Sequence, residues 1–316
     1  MDKISVERQF DHYERFEIGG KIVWVPGPVN IPEFRFVGRE EIIEKALSAW
    51  AEFDGQSPLN FRFYGPPGVG KNAIVYELAR ILKKDLYIIN GHEELGPEDI
   101  ACSATMTSRN TIEYVASPFF AGMLKGGIVF FDEIGKAPPG ALNPLASVLD
   151  DRRTLTSVLA GIRLKAHEGF RFCAALNETE EGGGLPPFLD ERTRPAIHVG
   201  YPSLQEMQGI LESRFSGPHD QWIKVFLSEF NSPGMSARNV IKLLEYATRL
   251  YANKNRGGGK PTKKEIKDLL SSLLKDMRLY DKDNDKGNGN GQDGNRNTVE
   301  NKNAHFTNYK REGAVH

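Results

Sequence analysis

Up to Pro202 the chain alternates short apolar runs with segments of helical period. Runs of β-branched or aromatic residues, bounded by Gly, Asn or charged positions, predict strands over Asn60–Tyr64 (NFRFY), Leu86–Asn90 (LYIIN), Ile128–Asp132 (IVFFD), Phe170–Leu176 (FRFCAAL) and Ala196–Val199. Between them, apolar residues at helical spacing predict helices over Asn72–Leu82 (NAIVYELARIL) and Pro139–Asp150 (PGALNPLASVLD). Alternation of short β-branched or aromatic strands with helices predicts an α/β class with a parallel sheet covered by helices on both faces. After Pro202 only helical patterns remain: Leu204–Phe215, Gln221–Phe230, Ala237–Tyr251 and Lys263–Leu279. The Gly-rich stretch Asn255–Pro261 separates the last two.

This pattern divides the chain into an N-terminal segment (1–35), an α/β core (36–202), a small all-helical lid (203–280) and an Asn/Gly-rich tail (281–316). Within the first segment only Trp24-Val25-Pro26-Gly27-Pro28 reads as an ordered stretch that packs on the core. The tail has too few apolar residues to offset its conformational entropy, which predicts disorder. Its alternating Asp281, Asp283 and Asp285 resemble a calcium loop, but Gly287 falls one position late and Gln292 stands where a bidentate Glu is needed.

Composition narrows the chemistry. The 316 residues are 39% hydrophobic, enough for a real core, and 41 Lys+Arg against 42 Asp+Glu leave a net charge of -1. That balance argues against a protein that coats nucleic acid by bulk charge. Cys102 and Cys173 form no CxxC pair, and neither His92-Glu93 nor His167-Glu168 continues into H-E-x-x-H, so zinc chemistry has no motif. No G-x-S-x-G elbow is present. Scattered Trp24, Trp50 and Trp222 read as packing residues and not as a base-stacking platform. The first sixteen residues are too charged for a secretory signal, and no apolar run is long enough to span a membrane, which predicts a cytoplasmic protein.

The positive signal follows the first predicted strand. Gly65-Pro66-Pro67-Gly68-Val69-Gly70-Lys71-Asn72, continuing into Ala73, is the G-x-x-x-x-G-K core of a phosphate-binding loop in its strand–loop–helix setting. Glycines let backbone N–H groups curl around phosphate oxygens, the helix N-terminus adds partial positive charge, and Lys71 reaches the β- and γ-phosphates. The eighth position departs from the motif: Asn72 stands where Ser or Thr would donate a hydroxyl to Mg²⁺. Its amide oxygen can bind a hard cation with a different reach, so nucleotide binding is expected to survive while fast hydrolysis is the open question. A buried strand ending in Asp132-Glu133 supplies the other half of the site. Asp132 is placed to hold the Mg²⁺ shell and Glu133 to polarise an attacking water.

Together GPPGVGKN, IVFFDEI and APPGALNPLASVLDDRRT resemble the MoxR branch of the AAA+ ATPases, close to the dynein-related type, over about residues 36–250. The resemblance implies an AAA+ P-loop core with a five-stranded parallel sheet and a helical lid. It places Val37 and Gly38 over the adenine of ATP and Asn177 at the tip of the fourth strand, as a polar sensor that helps orient water. Arg192 or Arg194 falls at the position of an arginine finger that reaches the γ-phosphate bound by the next subunit, and Arg238 takes the lid's sensor position. Ser103–Val115 and Thr154–Ala166 correspond to β-hairpin insertions that face a central pore in relatives, and Arg152 and Arg153 could meet a neighbouring subunit. The family's activity implies a ring, of hexameric type, that uses ATP and Mg²⁺ to remodel or activate a protein client, often with a von Willebrand A-domain partner. Two other readings remain: a DNA-directed AAA+ motor or loader, and a nucleotide-gated scaffold with weak hydrolysis caused by Asn72. The loop does not read the base, so GTP in place of ATP also stays open.

Overall fold

A computed structural model describes residues 12–106, 110–177, 185–230, 234–255 and 260–287. From the N-terminus, strands β1 (Tyr13–Ile18) and β2 (Lys21–Pro26) form a hairpin, closed by Gly19 and Gly20, both at positive φ. Two such residues are what a tight primed turn requires. Helix α1 (Glu40–Trp50) follows, then β3 (Phe61–Tyr64), α2 (Lys71–Leu82) and β4 (Leu86–Asn90). A short α3 (Pro97–Ile100) and the hairpin β5 (Cys102–Met106)–β6 (Ile112–Ala116) lead into α4 (Pro118–Lys125), which Ser117 caps by accepting from the Phe120 N–H at 2.9 Å. Strand β7 (Ile128–Asp132), the turns α5 (Pro139–Leu142) and α6 (Leu145–Val148), and the hairpin β8 (Thr154–Ser157)–β9 (Ile162–Lys165) come next. The core closes with β10 (Arg171–Leu176), α7 (Pro187–Arg192) and β11 (Ala196–His198). Four helices follow among the described residues: α8 (Leu204–Arg214), α9 (Asp220–Glu229), α10 (Ala237–Lys254) and α11 (Lys263–Gly287).

The five predicted strands are all present and all parallel, in the order β11-β3-β10-β7-β4. Strict alternation sends Val129 and Phe131 of β7 to one face of this sheet and Ile128 and Phe130 to the other, and all four are fully buried. Helix α2 covers the second face through Ile74, Val75, Leu78 and Ala79. The first face is covered by α4 through Phe119 and Phe120, and Val23 and Val25 of β2, which packs on α4, join the same buried cluster. Register aligns Asn90 with Asp132 and Leu176 with Tyr64, so the segments following four strands emerge along one edge.

Three features differ from the sequence pattern. The N-terminal hairpin is an integral layer: β2 pairs in parallel with β6, giving a second sheet of order β1-β2-β6-β5, and the Trp24 indole donates to Glu113 Oε2 at 2.6 Å. Pro139–Asp150 is two short turns and not one helix, because Pro144 has no N–H for the ladder and its ring crowds the preceding turn. Helix α11 continues to Gly287, past residue 280. Both insertion hairpins exist, with Met106 and Ile112 exposed toward one tip and Val158 and Leu159 at the other. The Lys21 ammonium donates to the Ala160 carbonyl, joining the N-terminal hairpin to the second insertion. Trp50 and Trp222 are buried, as packing residues should be.

Two compact units divide the chain, Met1–Leu270 and Ser271–His316. The first contains both of these sheets and the site described next; of the second, the C-terminal part of α11 lies within the described residues and 288–316 lie outside them. Among the described residues no helix is long and apolar enough to cross a membrane.

Candidate nucleotide-binding site

The loop between β3 and α2 sits where the sheet edge, the segment before α1 and the lid helices meet. A cavity of about 720 Å³ opens over it, and its walls include Val37, Gly68, Lys71, Asp132, Asn177 and Arg238. Pro67, Val69, Gly70, Asn72, Ala73 and Glu133 complete the predicted set at this cavity. Gly65 and Pro66 lie beneath it and contribute carbonyls. Gly38 is packed against Glu206, and a Cβ there would come within 2.9 Å of the Glu206 Cγ.

Backbone conformation explains the glycines. Gly68 has φ +77°, and a Cβ there would meet the Ser236 Oγ at 2.9 Å and the Arg238 Cβ at 3.3 Å, so the loop passes directly under the start of α10. Ser236 caps α10, accepting from the Asn239 N–H at 3.2 Å. Gly65 has φ +152°, and a Cβ there would lie 2.1 Å from the Val199 carbonyl oxygen. A Gly65→Ala substitution should therefore destabilise the fold by about 2–3 kcal/mol, because the obstacle is backbone and cannot step aside. Urea unfolding of the purified variant reads this directly.

Helix α2 begins at Lys71 with Gly70 as its cap residue and no side-chain cap, so its first N–H groups and its positive dipole end face the cavity. The Lys71 ammonium is folded back: it donates to Gly65 O at 2.6 Å, Pro66 O at 3.1 Å and Asn177 Oδ1 at 3.2 Å. It reaches the Asn177 amide because β10 is the neighbour of β3.

At the tip of β7, Asn72 Nδ2 donates to Asp132 Oδ2 at 2.8 Å. Burial, foremost, raises the Asp132 pKa, partly opposed by that hydrogen bond. A carboxylate disfavoured by desolvation, beside an amide that carries one further oxygen, suits a hard divalent cation once the amide turns its oxygen inward. Glu133 is a non-glycine residue at φ +51°, a strained conformation of the kind that concentrates at functional sites. Its Oε2 accepts from Lys136 Nζ at 2.8 Å, a half-exposed ion pair. Gly91, at the end of β4, makes this turn possible: a Cβ there would lie 2.2 Å from the Glu133 carbonyl oxygen.

Arg192 and Arg194 lie away from this cavity, on and just after α7. Arg192 donates to the Phe188 carbonyl at 3.0 Å, and exposed Arg194 pairs with Asp190 at 2.5 Å. Asp190 is also held by buried Arg62 at 2.6 Å, which anchors α7 to β3. Sequence reasoning missed Gly91, Glu206 and the contacts of Arg39, which it read only within Phe36–Glu41, the stretch that resembles a family segment over the adenine. Of these only Glu206 carried a local signal, the Ser203-x-x-Glu206 capping box that starts α8.

A parallel sheet of order β11-β3-β10-β7-β4, with a glycine-rich loop leaving β3 and a helical lid above it, is the AAA+ P-loop fold. Residues 60–193 match the AAA domain of the dynein-related subfamily. The chain is 32% identical over 122 residues to the uncharacterized protein YojN of Bacillus subtilis (strain 168), covering 38% of this chain and 40% of that one. An uncharacterized protein of Staphylococcus aureus (strain USA300) is also 32% identical, over 147 residues, 45% of this chain and 56% of the relative. The chain thus spans about half the length of the curated relatives it matches. Among solved structures, NtrX of Brucella abortus in complex with ADP has a TM-score of 0.53 at 16% identity, covering 77% of this chain and 56% of that one. A point mutant of RuvB from Thermotoga maritima has a TM-score of 0.50 at 16% identity, with 76% and 71% covered.

Proposed function

We propose that this chain binds and hydrolyses ATP as a ring-forming AAA+ ATPase of MoxR type, which remodels or activates a partner protein. The observation that carries the reading is the convergence on one cavity of the glycine loop, Lys71, the Asp132–Glu133 tip, Asn177 and the lid's Arg238. In this reading the N–H groups of Gly68–Asn72 and Lys71 hold the phosphates, while Val37 and Gly38 border the base. Asn72 and Asp132 would hold Mg²⁺, which when bound would neutralise phosphate charge. Glu133 would leave Lys136 and take a proton from a water that Asn177 helps to orient, as the water oxygen bonds to the γ-phosphorus and the bond from that phosphorus to the leaving ADP oxygen breaks. Arg238 senses the γ-phosphate from the lid, and Arg192 or Arg194 completes the site of the next subunit in a hexamer-like ring. Client contact would fall on the exposed Met106, Ile112, Val158 and Leu159 of the two hairpins, with a von Willebrand A-domain protein as the expected class of partner. The setting is cytoplasmic. Isothermal titration with ATP, paired with light-scattering mass in ATP and without it, tests binding and assembly together. Tight binding with a nucleotide-dependent rise in mass is expected; a monomer that ignores ATP would refute the proposal.

One observation favours the scaffold reading: the Asn72 amide occupies Asp132 with a donor, where the motif normally has a hydroxyl. Under the ATPase reading, Asn72→Thr should change steady-state turnover by no more than about threefold. A gain of about tenfold or more would show that Asn72 restrains the chemistry. The likeness to RuvB is one of fold alone and does not favour the DNA-directed reading.

A further inference from the structure

Arg39 binds three parts of the molecule that belong to different functions. Its Nη2 donates to the Val69 carbonyl inside the phosphate loop at 3.3 Å and to the Gly200 carbonyl at 2.9 Å, in the linker between β11 and the first lid helix. Its Nε lies 3.6 Å from Glu206 Oε1, and its own backbone N–H donates to that oxygen at 3.2 Å. The Arg39 side chain is only 9% exposed, and the residue is held at φ +66° as the cap of α1. Burial lowers its pKa, and the nearby Glu206 carboxylate opposes that shift. Glu206 is fixed in turn, accepting from the Ser203 N–H at 2.8 Å. Two glycines allow this approach: Gly38 lies against Glu206, and a Cβ on Gly209 would come within 2.5 Å of Val37 Cγ1.

A rigid planar fork that joins loop, linker and lid helix cannot keep all its partners if one of them moves. We infer that Arg39, tethered by Glu206, is a positioning residue that couples the conformation of the phosphate loop to the orientation of the lid. Occupancy of the loop shifts the carbonyls around Val69, the guanidinium follows, and Glu206 carries the displacement into α8. This rests on the proposal that the loop binds nucleotide.

Hydrogen exchange over residues 204–214 tests it, in wild type, Glu206→Gln and Arg39→Lys, without nucleotide, with ADP and with a non-hydrolysable ATP analogue. Affinity is measured separately by titration. Wild type should show nucleotide-dependent protection of α8. Glu206→Gln should bind the analogue within about threefold of wild type yet lose most of that difference, and Arg39→Lys should lose it as well, since an ammonium cannot span the three acceptors. A purely structural role would raise exchange equally in every nucleotide state and keep the difference, which would overturn the inference. So would wild type that binds nucleotide with no change in α8, or a Glu206→Gln protein that no longer binds. Wild type that binds no nucleotide would overturn the proposed function and the coupling with it.

Discussion

Lys71→Ala should weaken ATP binding by about 10- to 100-fold, as measured by titration calorimetry. A charge-assisted hydrogen bond contributes about 1.5–3 kcal/mol, and each 1.4 kcal/mol is a factor of ten in affinity. The free protein should tolerate the change better than the complex. Lys71 Nζ now donates to the carbonyls of Gly65 and Pro66 and to the Asn177 amide, and its removal leaves three acceptors without that donor. The same change also removes a buried charge, so the two effects on stability oppose each other. A large loss of affinity with a nearly unchanged unfolding midpoint is the signature to expect. An unchanged affinity would mean that nucleotide, if bound, lies elsewhere.

Glu133→Gln should separate binding from chemistry. Removal of a general base costs about 10²- to 10⁴-fold in turnover, whereas the amide keeps the size and shape of the side chain. The Lys136 ion pair that it loses is half-exposed and contributes about 0–1 kcal/mol at most. Both residues meet the same left-handed backbone at φ +51°, so the variant should fold as wild type does. ATP affinity within a few-fold of wild type and a collapse of steady-state turnover are expected, read by phosphate release beside calorimetry.

How much of this was legible in the sequence depended on the range of the signal. Ile128–Asp132 and Leu86–Asn90 fall where the apolar runs placed them, because strands buried on both faces leave an unbroken local pattern. The phosphate loop was equally plain, since its glycines, lysine and following helix are contiguous. The N-terminal hairpin was locally signalled by Gly19-Gly20 between Tyr13–Ile18 and Lys21–Pro26, although the apolar pattern alone marked only Trp24–Pro28 as ordered. Its parallel pairing with β6 was not, because Trp24 and Val115 come together only through the fold. Arg39 and Glu206 are 167 positions apart, and nothing in either neighbourhood names the other. Gly91 shows the same limit. Its need for hydrogen in place of a side chain arises from the Glu133 carbonyl, just past the end of a different strand.

The central claim is that this site hydrolyses ATP and is completed by a neighbouring copy. Its most direct test is steady-state phosphate release per protomer, measured as a function of protein concentration beside Glu133→Gln. Specific activity that rises with concentration and vanishes in the variant is the predicted result. Specific activity that is independent of concentration, or that survives in Glu133→Gln, would contradict it.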